Sequence, residues 1–471
     1  MIDRREILEM SRELSLAPQV VEKDYALGWL LAGIYSYPAL DTGWLFKGGT
    51  CLKKCYFETY RFSEDLDFTL TDESHLNESF LKKTFAEIAS WIYEQSGMEV
   101  PLGTQAFEVY TNPRGKVSVA GRVGYRGPLG MRGSVPRIRL DLTCDECVID
   151  QPVWCSVHHP YQDGADHSIR AFCYSFAELF AEKIRALAER LRPRDLYDVV
   201  HLYRHEQDAC DRALVLETLQ QKCAFKGIAV PSVTSLRNHP GRAELVSEWK
   251  NMLAHQLPKL PPLDLFDREL PDVFAWLLEA RSKPVIQAMA ASANEDRSWR
   301  APAMVTSWGL TAPLETIRYA AANHLCVNLR YKGTVRLIEP YSLRRTQQGD
   351  ILLHAIRHES GEHRSYRIDR IEAVEVTATP FVPRYAIELT PAGPQAIPER
   401  TRRSAESYRV PSRRKSSTSS FSTSGPIYVI ECPVCGKRFK RKQYATKLNK
   451  HKDKSGYPCM GKTGYLVDTV H

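Results

Sequence analysis

A chain of 471 residues, 43% hydrophobic and 25% charged, has the composition of several folded domains, which excludes a largely disordered protein. No run of about eighteen apolar residues occurs, and the N-terminus MIDRREILEMSRELS is too charged for a signal peptide, so a cytoplasmic protein with no membrane partner is expected. The net charge of +8 is unevenly placed: residues 396–471 hold seventeen Lys/Arg against five Asp/Glu, a net +12, and the rest of the chain sums to −4. The tail is therefore expected to meet a polyanion, or else to act as a solubilising extension.

In chain order, TGWLF reads as a short buried strand, KGGT as a turn, TCLKKCYFE as a helix and DLDFTL as a second strand. RIRLDLT at 137–143 alternates like a third strand. YSFAELFAEKIRALAERL at 174–191 has helical apolar spacing, and residues 195–290 continue as mainly helical text. The stretch SANEDRSWRAP near 292–300 breaks this pattern ahead of a segment rich in β-branched and aromatic residues. Residues 396–424 are Ser-, Arg- and Pro-rich with almost no aliphatic side chains, the composition of a linker. The partition is 1–292, 300–390, a basic disordered linker over 391–424, and a small module over 425–471.

The chemistry-bearing unit is Gly48-Gly49-Thr50 followed by Asp65-Leu66-Asp67. Residues two apart on a strand share a face, so Asp65 and Asp67 can present two carboxylates to one divalent cation. Two glycines at a strand-to-helix turn let backbone N–H groups approach a phosphate. Asp141, in the later strand, can add a third carboxylate if that strand lies alongside, and three carboxylates can hold two metals. Each signal alone also fits a solvated strand end or a plain turn.

Their ordered combination resembles the AbiEii/AbiGii nucleotidyltransferase toxins of the DNA polymerase β-like superfamily. VEKDYALGWLL at 21–31 and AELFAEKIRALAERLRPRDLYDVVHL at 177–202 resemble two further blocks of that family. The resemblance implies an NTP substrate, catalytic Mg²⁺ on Asp65 and Asp67, and a nucleotide-binding set of Gly48, Gly49, Thr50, Ser63, Lys183 and Arg190. Lys183 becomes a phosphate ligand, and Asp198 a supporting acid that either accepts a proton or holds the basic residues. Seven positions along a helix turn it by about 700°, so Lys183 and Arg190 can face one triphosphate together. Arg190 and Asp195 can equally brace a helix turn, and Lys23 and Asp24 can belong to a solvated helix face. Relatives modify the 3′ end of tRNA, so tRNA or another nucleic acid is the expected acceptor, with a cognate antitoxin as a partner. Protein adenylylation and a ligand-responsive nucleic-acid-binding regulator are the alternatives.

Residues 300–385, above all IEPYSLRRT and RSYRIDRI, resemble a WYL domain, an Sm-like β-barrel used as a ligand sensor. The name-giving tripeptide is replaced by Leu352-Leu353-His354. Arg344, Arg345, Arg364, Arg367 and Arg370 with Tyr341 and Tyr366 suit a nucleotide ligand or single-stranded nucleic acid, unless they pair with Glu339, Glu359 and Asp369.

The terminal module places Cys432, Cys435, His451 and Cys459 at zinc-ligand spacing, in a unit whose small core makes structural Zn²⁺ a source of folding energy. Cys144 and Cys147 form a C-x2-C without a partner pair and read as ordinary thiols. The fold expected is thus an α+β nucleotidyltransferase domain with a helical C-terminal part, a small Sm-like β-barrel and a small zinc-binding module. Because all acidic candidates precede residue 200, a chain ending near residue 295 is expected to keep the chemistry.

Overall fold

The computed structural model describes residues 1–130, 133–164, 169–205, 211–281, 286–290, 294–296, 298–299 and 314–389. Near the C-terminus it describes 427–432, 435, 437–441, 447–448, 451–452, 458–459, 463 and 465–470. The expected linker, 391–424, lies outside the described residues. The chain divides into two compact units, Met1–Val410 and Pro411–His471.

Helices α1 (Arg4–Leu14) and α2 (Pro18–Ser36) lead into β1 (Trp44–Lys47), whose chain turns directly into α3 (Gly48–Cys51). Gly48 adopts φ +80°, a left-handed conformation that favours glycine, and this lets the helical turn begin two residues before the expected Thr50. The turn continues as a π-turn over Leu52–Tyr56, closed by the Phe57 N–H on the Leu52 carbonyl, and stops short of Glu58. Then come β2 (Asp65–Leu70), α4 (Glu78–Ser96), β3 (Ala106–Thr111), β4 (Val117–Gly124), β5 (Arg137–Thr143), β6 (Val153–Ser156) and β7 (Arg170–Cys173).

These strands form a seven-stranded mixed sheet in the order β3-β4-β5-β2-β1-β7-β6. β2 lies between antiparallel β1 and parallel β5. The alternation of β5 is realised: Ile138, Leu140 and Leu142 enter the core, while Arg137, Arg139 and Asp141 stay exposed on the other face. Helices α2 and α4 pack on each other and against β7 and β3, and α2 is buried along most of its length.

The helical part follows as α5 (Phe176–Arg190), α6 (Pro193–Arg204), α7 (Arg212–Lys226), α8 (Val233–Arg237), α9 (Arg242–Leu253) and α10 (Leu263–Glu279). Ser175 starts α5 by accepting the Glu178 N–H. Leu191, in a left-handed conformation, ends it, and Pro193 opens α6 at a position where its missing N–H costs nothing.

Helix α11 (Leu314–Ala322) precedes β8 (Leu325–Tyr331), β9 (Thr334–Arg345), β10 (Ile351–Arg357), β11 (His363–Arg367) and β12 (Ile371–Pro380). The strands form an antiparallel sheet in the order β11-β10-β9-β8-β12. The preceding segment also joins this sheet region: Asp296 N–H bonds the Arg345 carbonyl and Ala386 N–H bonds the Gln287 carbonyl.

The expected separability at residue 295 meets a contrary packing. Ile317, Tyr319, Ala320 and Ala321 of α11 belong to the same apolar core as Leu196 and Phe266 of the helical part. Arg318 bonds Glu58 at 2.8 Å, and the Tyr197 hydroxyl donates to Asn323 at 3.0 Å. Several large side chains there, each worth about 1.5–3 kcal/mol on burial, would be uncovered by truncation. A chain ending at residue 295 is therefore expected to aggregate or melt well below the full chain, whereas one ending at residue 410 keeps its melting temperature. Size-exclusion chromatography with thermal denaturation of the two checks this.

In the second unit, β13 (Ile427–Glu431) lies between β14 (Arg438–Arg441) and β17 (Tyr465–Val470), while β15 (His451–Lys452) pairs with β16 (Pro458–Cys459). No helix among the described residues is long and apolar enough to cross a membrane.

Candidate active site and metal centre

The ladder pairing brings the expected acids together across strands. Lys47 on β1, Asp67 on β2 and Asp141 on β5 stand in register, with Asp65 two residues before Asp67 on its own strand. Removal from water and the neighbouring Asp141 carboxylate raise Asp67 to about 6, against the pull of Lys47 and Lys183. Asp141 is raised too, chiefly by desolvation, with Glu146 and Asp65 adding and Lys47 opposing. Neighbouring carboxylates that repel one another are the donor set a divalent cation neutralises, so the residues fit such an ion. The oxygens of all three are not drawn into one cluster: among the described residues, only two groups of three or more His, Cys, Asp or Glu have donor atoms all within 4.8 Å of one another, and neither includes these aspartates.

The glycines are required by close approach. A Cβ on Gly48 would stand 2.0 Å from Asp67 Oδ2, and one on Gly49 would stand 2.6 Å from an Arg61 guanidinium nitrogen and 2.9 Å from Ser63 Oγ. The turn, Asp67 and Ser63 are thus in immediate contact. Thr50 is fully buried, and its hydroxyl donates to the Asp65 carbonyl, tying the turn to β2. Only its backbone remains available to a phosphate.

The basic residues are held by buried acids. Asp198, fully buried, accepts from Arg61 Nε at 2.6 Å and Nη2 at 2.7 Å, from the Tyr60 hydroxyl, and pairs with Lys183 Nζ at 2.8 Å. Burial alone would raise its pKa, yet Arg61 and Lys183 hold it well below the usual carboxylate range. This is the geometry of the holding role, one of the two expected of it. Arg190 is clamped by Asp195 through Nε (2.7 Å) and Nη2 (2.9 Å), the bracing geometry, with half of its side chain exposed. Lys183 and Arg190 each turn to a separate acid.

Two residues absent from the expected set belong here. Lys47 pairs with Glu146 at 3.4 Å and Glu182 at 3.5 Å, and Lys222 joins Glu182 to Glu178, forming a buried ionic network beside the aspartates. Arg61 links Asp198 to Gln256 at 3.0 Å. The signals for both were a charge ending the apolar strand WLFK and an arginine inside RFSEDLDF. Lys23 pairs with Glu64 at 2.7 Å, while Asp24 is buried against Lys54 at 2.7 Å, a core ion pair rather than a solvated face.

In the WYL region most of the arginines expected to bind a ligand are already paired. Arg344 meets Glu295 and Glu388, Arg345 meets Asp296, Arg364 meets Glu362, and Arg367 meets Asp350 and Asp369. Tyr341 and Tyr366 are buried, and His354 lies 3.1 Å from His363.

In the second unit, Cys432, Cys435, His451 and Cys459 bring one donor atom each within 4.8 Å of the others. The β15–β16 pairing sets His451 opposite Cys459, and the Cys432 and Cys459 sulfurs are 3.7 Å apart. Two thiolates on one tetrahedral zinc at about 2.3 Å would be about 3.8 Å apart, so the donor set fits zinc. One zinc per chain, lost on Cys432→Ser or Cys459→Ser, is the expected result of elemental analysis. The other group, Cys51, Cys55 and Cys173, is fully buried in the apolar core, and Cys144 and Cys147 belong to neither.

Comparison with known proteins places these features in families. The family described as nucleotidyl transferase AbiEii toxin, type IV TA system, matches residues 29–280, and the WYL domain family matches residues 313–376. Solved structures similar to this chain include MenT4, a nucleotidyltransferase toxin from Mycobacterium tuberculosis H37Rv, at 18% identity and a TM-score of 0.38, covering 59% of this chain and 90% of that one. Another is JHP933 from Helicobacter pylori, at 16% identity and a TM-score of 0.36, covering 56% and 94%. No curated protein matches. With more than half of its length matched, the chain belongs to the AbiEii nucleotidyltransferase toxin family and carries a WYL domain behind its transferase region.

Proposed function

We propose that the chain transfers a nucleoside monophosphate from an NTP to the 3′ end of a nucleic acid, with tRNA the leading acceptor, in the cytoplasm and under the control of an antitoxin. The observation that carries this reading is the in-register row of Lys47, Asp67 and Asp141 beside the Gly48-Gly49 turn. Asp65, Asp67 and Asp141 are the residues that would hold Mg²⁺, which when bound neutralises the triphosphate and stabilises the attacking and leaving oxygens.

The remaining roles belong to the chain's own groups. Gly48 and Gly49 let the turn close against Asp67 and Ser63, so that its first N–H groups, which have no partner within the helix, are brought to a triphosphate held beside those residues. Ser63 offers its hydroxyl above Gly49. Lys183, oriented by Asp198, and Arg190, oriented by Asp195, direct positive charge to the departing pyrophosphate. Asp198, Arg61 and Thr50 act as positioning residues. For the WYL region we propose ligand sensing, supported by the contact of Arg318 on α11 with Glu58, three residues before Arg61.

The test incubates the full chain with each labelled NTP and with total bacterial RNA or a protein lysate. Label on RNA is expected. Label confined to protein would replace the acceptor by a protein hydroxyl, and no transfer with any NTP would refute the reading.

A further inference from the structure

The open face of the sheet carries a second feature beside the carboxylates. Across β2, β5, β4 and β3, one row reads Asp67, Asp141, Ala120, Glu108, and the adjacent row reads Asp65, Arg139, Arg122, Ala106. Arg137, two residues before Arg139, lies further along the same exposed face of β5. Arg122 and Arg139 stand directly opposite each other across the ladder, and both are exposed. Like charges in that relation destabilise a sheet. None of the three arginines has an ion pair or a side-chain hydrogen bond among the described residues, unlike most of the arginines around Asp198 and in the WYL region, so their charge remains available on the surface.

Position gives this charge a direction. The sheet order sets β1 and its Gly48-Gly49 turn on one side of β2, and β5 with β4 on the other. In an in-line displacement at phosphorus, the attacking and leaving oxygens lie on opposite sides of the reacting centre. With the departing phosphates at the glycine turn, the attacking hydroxyl arrives from the β5–β4 side, where the arginines stand.

We infer that Arg122, Arg137 and Arg139 form the acceptor-strand platform, gripping phosphodiester groups of a nucleic acid so that its terminal hydroxyl reaches the carboxylate row. The inference rests on the transferase reading above and adds the residues that select a nucleic-acid acceptor. Three neighbouring arginines without ion pairs suit the regularly repeated phosphates of a nucleic acid. The chemistry is unchanged: the acceptor hydroxyl gives its proton to a carboxylate of the row or to solvent, its oxygen bonds the α-phosphorus, the bond from that phosphorus to the bridging oxygen breaks with its electron pair on that oxygen, and pyrophosphate departs.

The experiment measures label transfer from NTP to total bacterial RNA by the full chain, as a function of RNA, NTP and salt concentration. Arg122→Ala/Arg139→Ala is expected to raise the half-saturating RNA concentration at least tenfold. It should also flatten the logarithmic salt dependence by about 1.5, roughly 0.7–0.9 for each phosphate that is no longer neutralised. The KM for NTP and the rate at saturating RNA stay within about twofold, and the melting temperature is equal or higher because the opposed charges are gone. Arg122→Lys/Arg139→Lys retains the salt slope, since a point charge still meets phosphate. Should the alanine pair lose stability, Arg122→Gln/Arg139→Gln provides the same reading with more of the side chain kept. Wild-type RNA affinity and salt slope in a folded double variant would overturn the platform while leaving the transferase reading intact. Label appearing on protein and not RNA would overturn it too, and absence of transfer by the wild type would overturn both.

Discussion

Asp67→Ala is expected to reduce nucleotide transfer by at least about 10²–10³-fold, the several kcal/mol that charge stabilisation at a metal-dependent phosphoryl transfer supplies. The same change should leave folding intact. Asp67 is poorly accommodated as a carboxylate, raised to about 6 by loss of water and by Asp141, so its removal relieves repulsion in the folded state. The melting temperature is therefore expected to hold or rise while activity disappears. Single-turnover kinetics with thermal denaturation measures both, and a folded Asp67→Ala protein with wild-type turnover would remove this residue from the site.

Asp198→Ala should behave in the opposite way. It deletes the carboxylate on which Arg61, Lys183 and Tyr60 converge and leaves two buried cations without their partner. Breaking a buried pair from one side costs about 3–5 kcal/mol, a large share of a domain's stability. Urea denaturation is expected to show that loss, together with a fall in transfer as Lys183 loses its orientation. The pH dependence has a definite sign. Because the folded pKa of Asp198 is depressed, its stabilisation is full above the unfolded carboxylate value of about 3.9 and is lost as pH falls below it toward the folded value. Asp198→Asn should lack that acid-side component. A variant as stable as the wild type, with activity lost through a changed pH–rate profile alone, would instead restore the proton-accepting role.

The two variants separate what sequence and structure contribute. Gly48-Gly49 and Asp65-x-Asp67 are legible in the chain because each depends on local rules: a glycine for a left-handed turn, and a two-residue period that sets both aspartates on one face of a strand. The alternation of RIRLDLT likewise marked β5 as a strand, and the spacing of Cys432, Cys435, His451 and Cys459 foretold their meeting. The contact of the Thr50 hydroxyl with β2, and the convergence of Arg61 as well as Lys183 on Asp198, were not legible, since a hydroxyl or carboxylate in a motif reads the same whether it faces a ligand or a buried donor.

By itself, then, the sequence determined the strands WLF, DLDFTL and RIRLDLT, the helix that follows residue 175, the turn, the carboxylate pair and the metal-binding spacing, all of which follow from periodicity and residue chemistry over short distances. Only the tertiary structure decided that β5 lies parallel beside β2, that Arg61 and Lys183 share Asp198, that the arginines of β4 and β5 confront each other next to the acids, and that α11 completes the core of the transferase region. The physical reason is the same in each case. These contacts join residues tens to hundreds of positions apart, and their energy depends on burial and on which opposite charge is brought within reach, quantities that a local pattern does not contain.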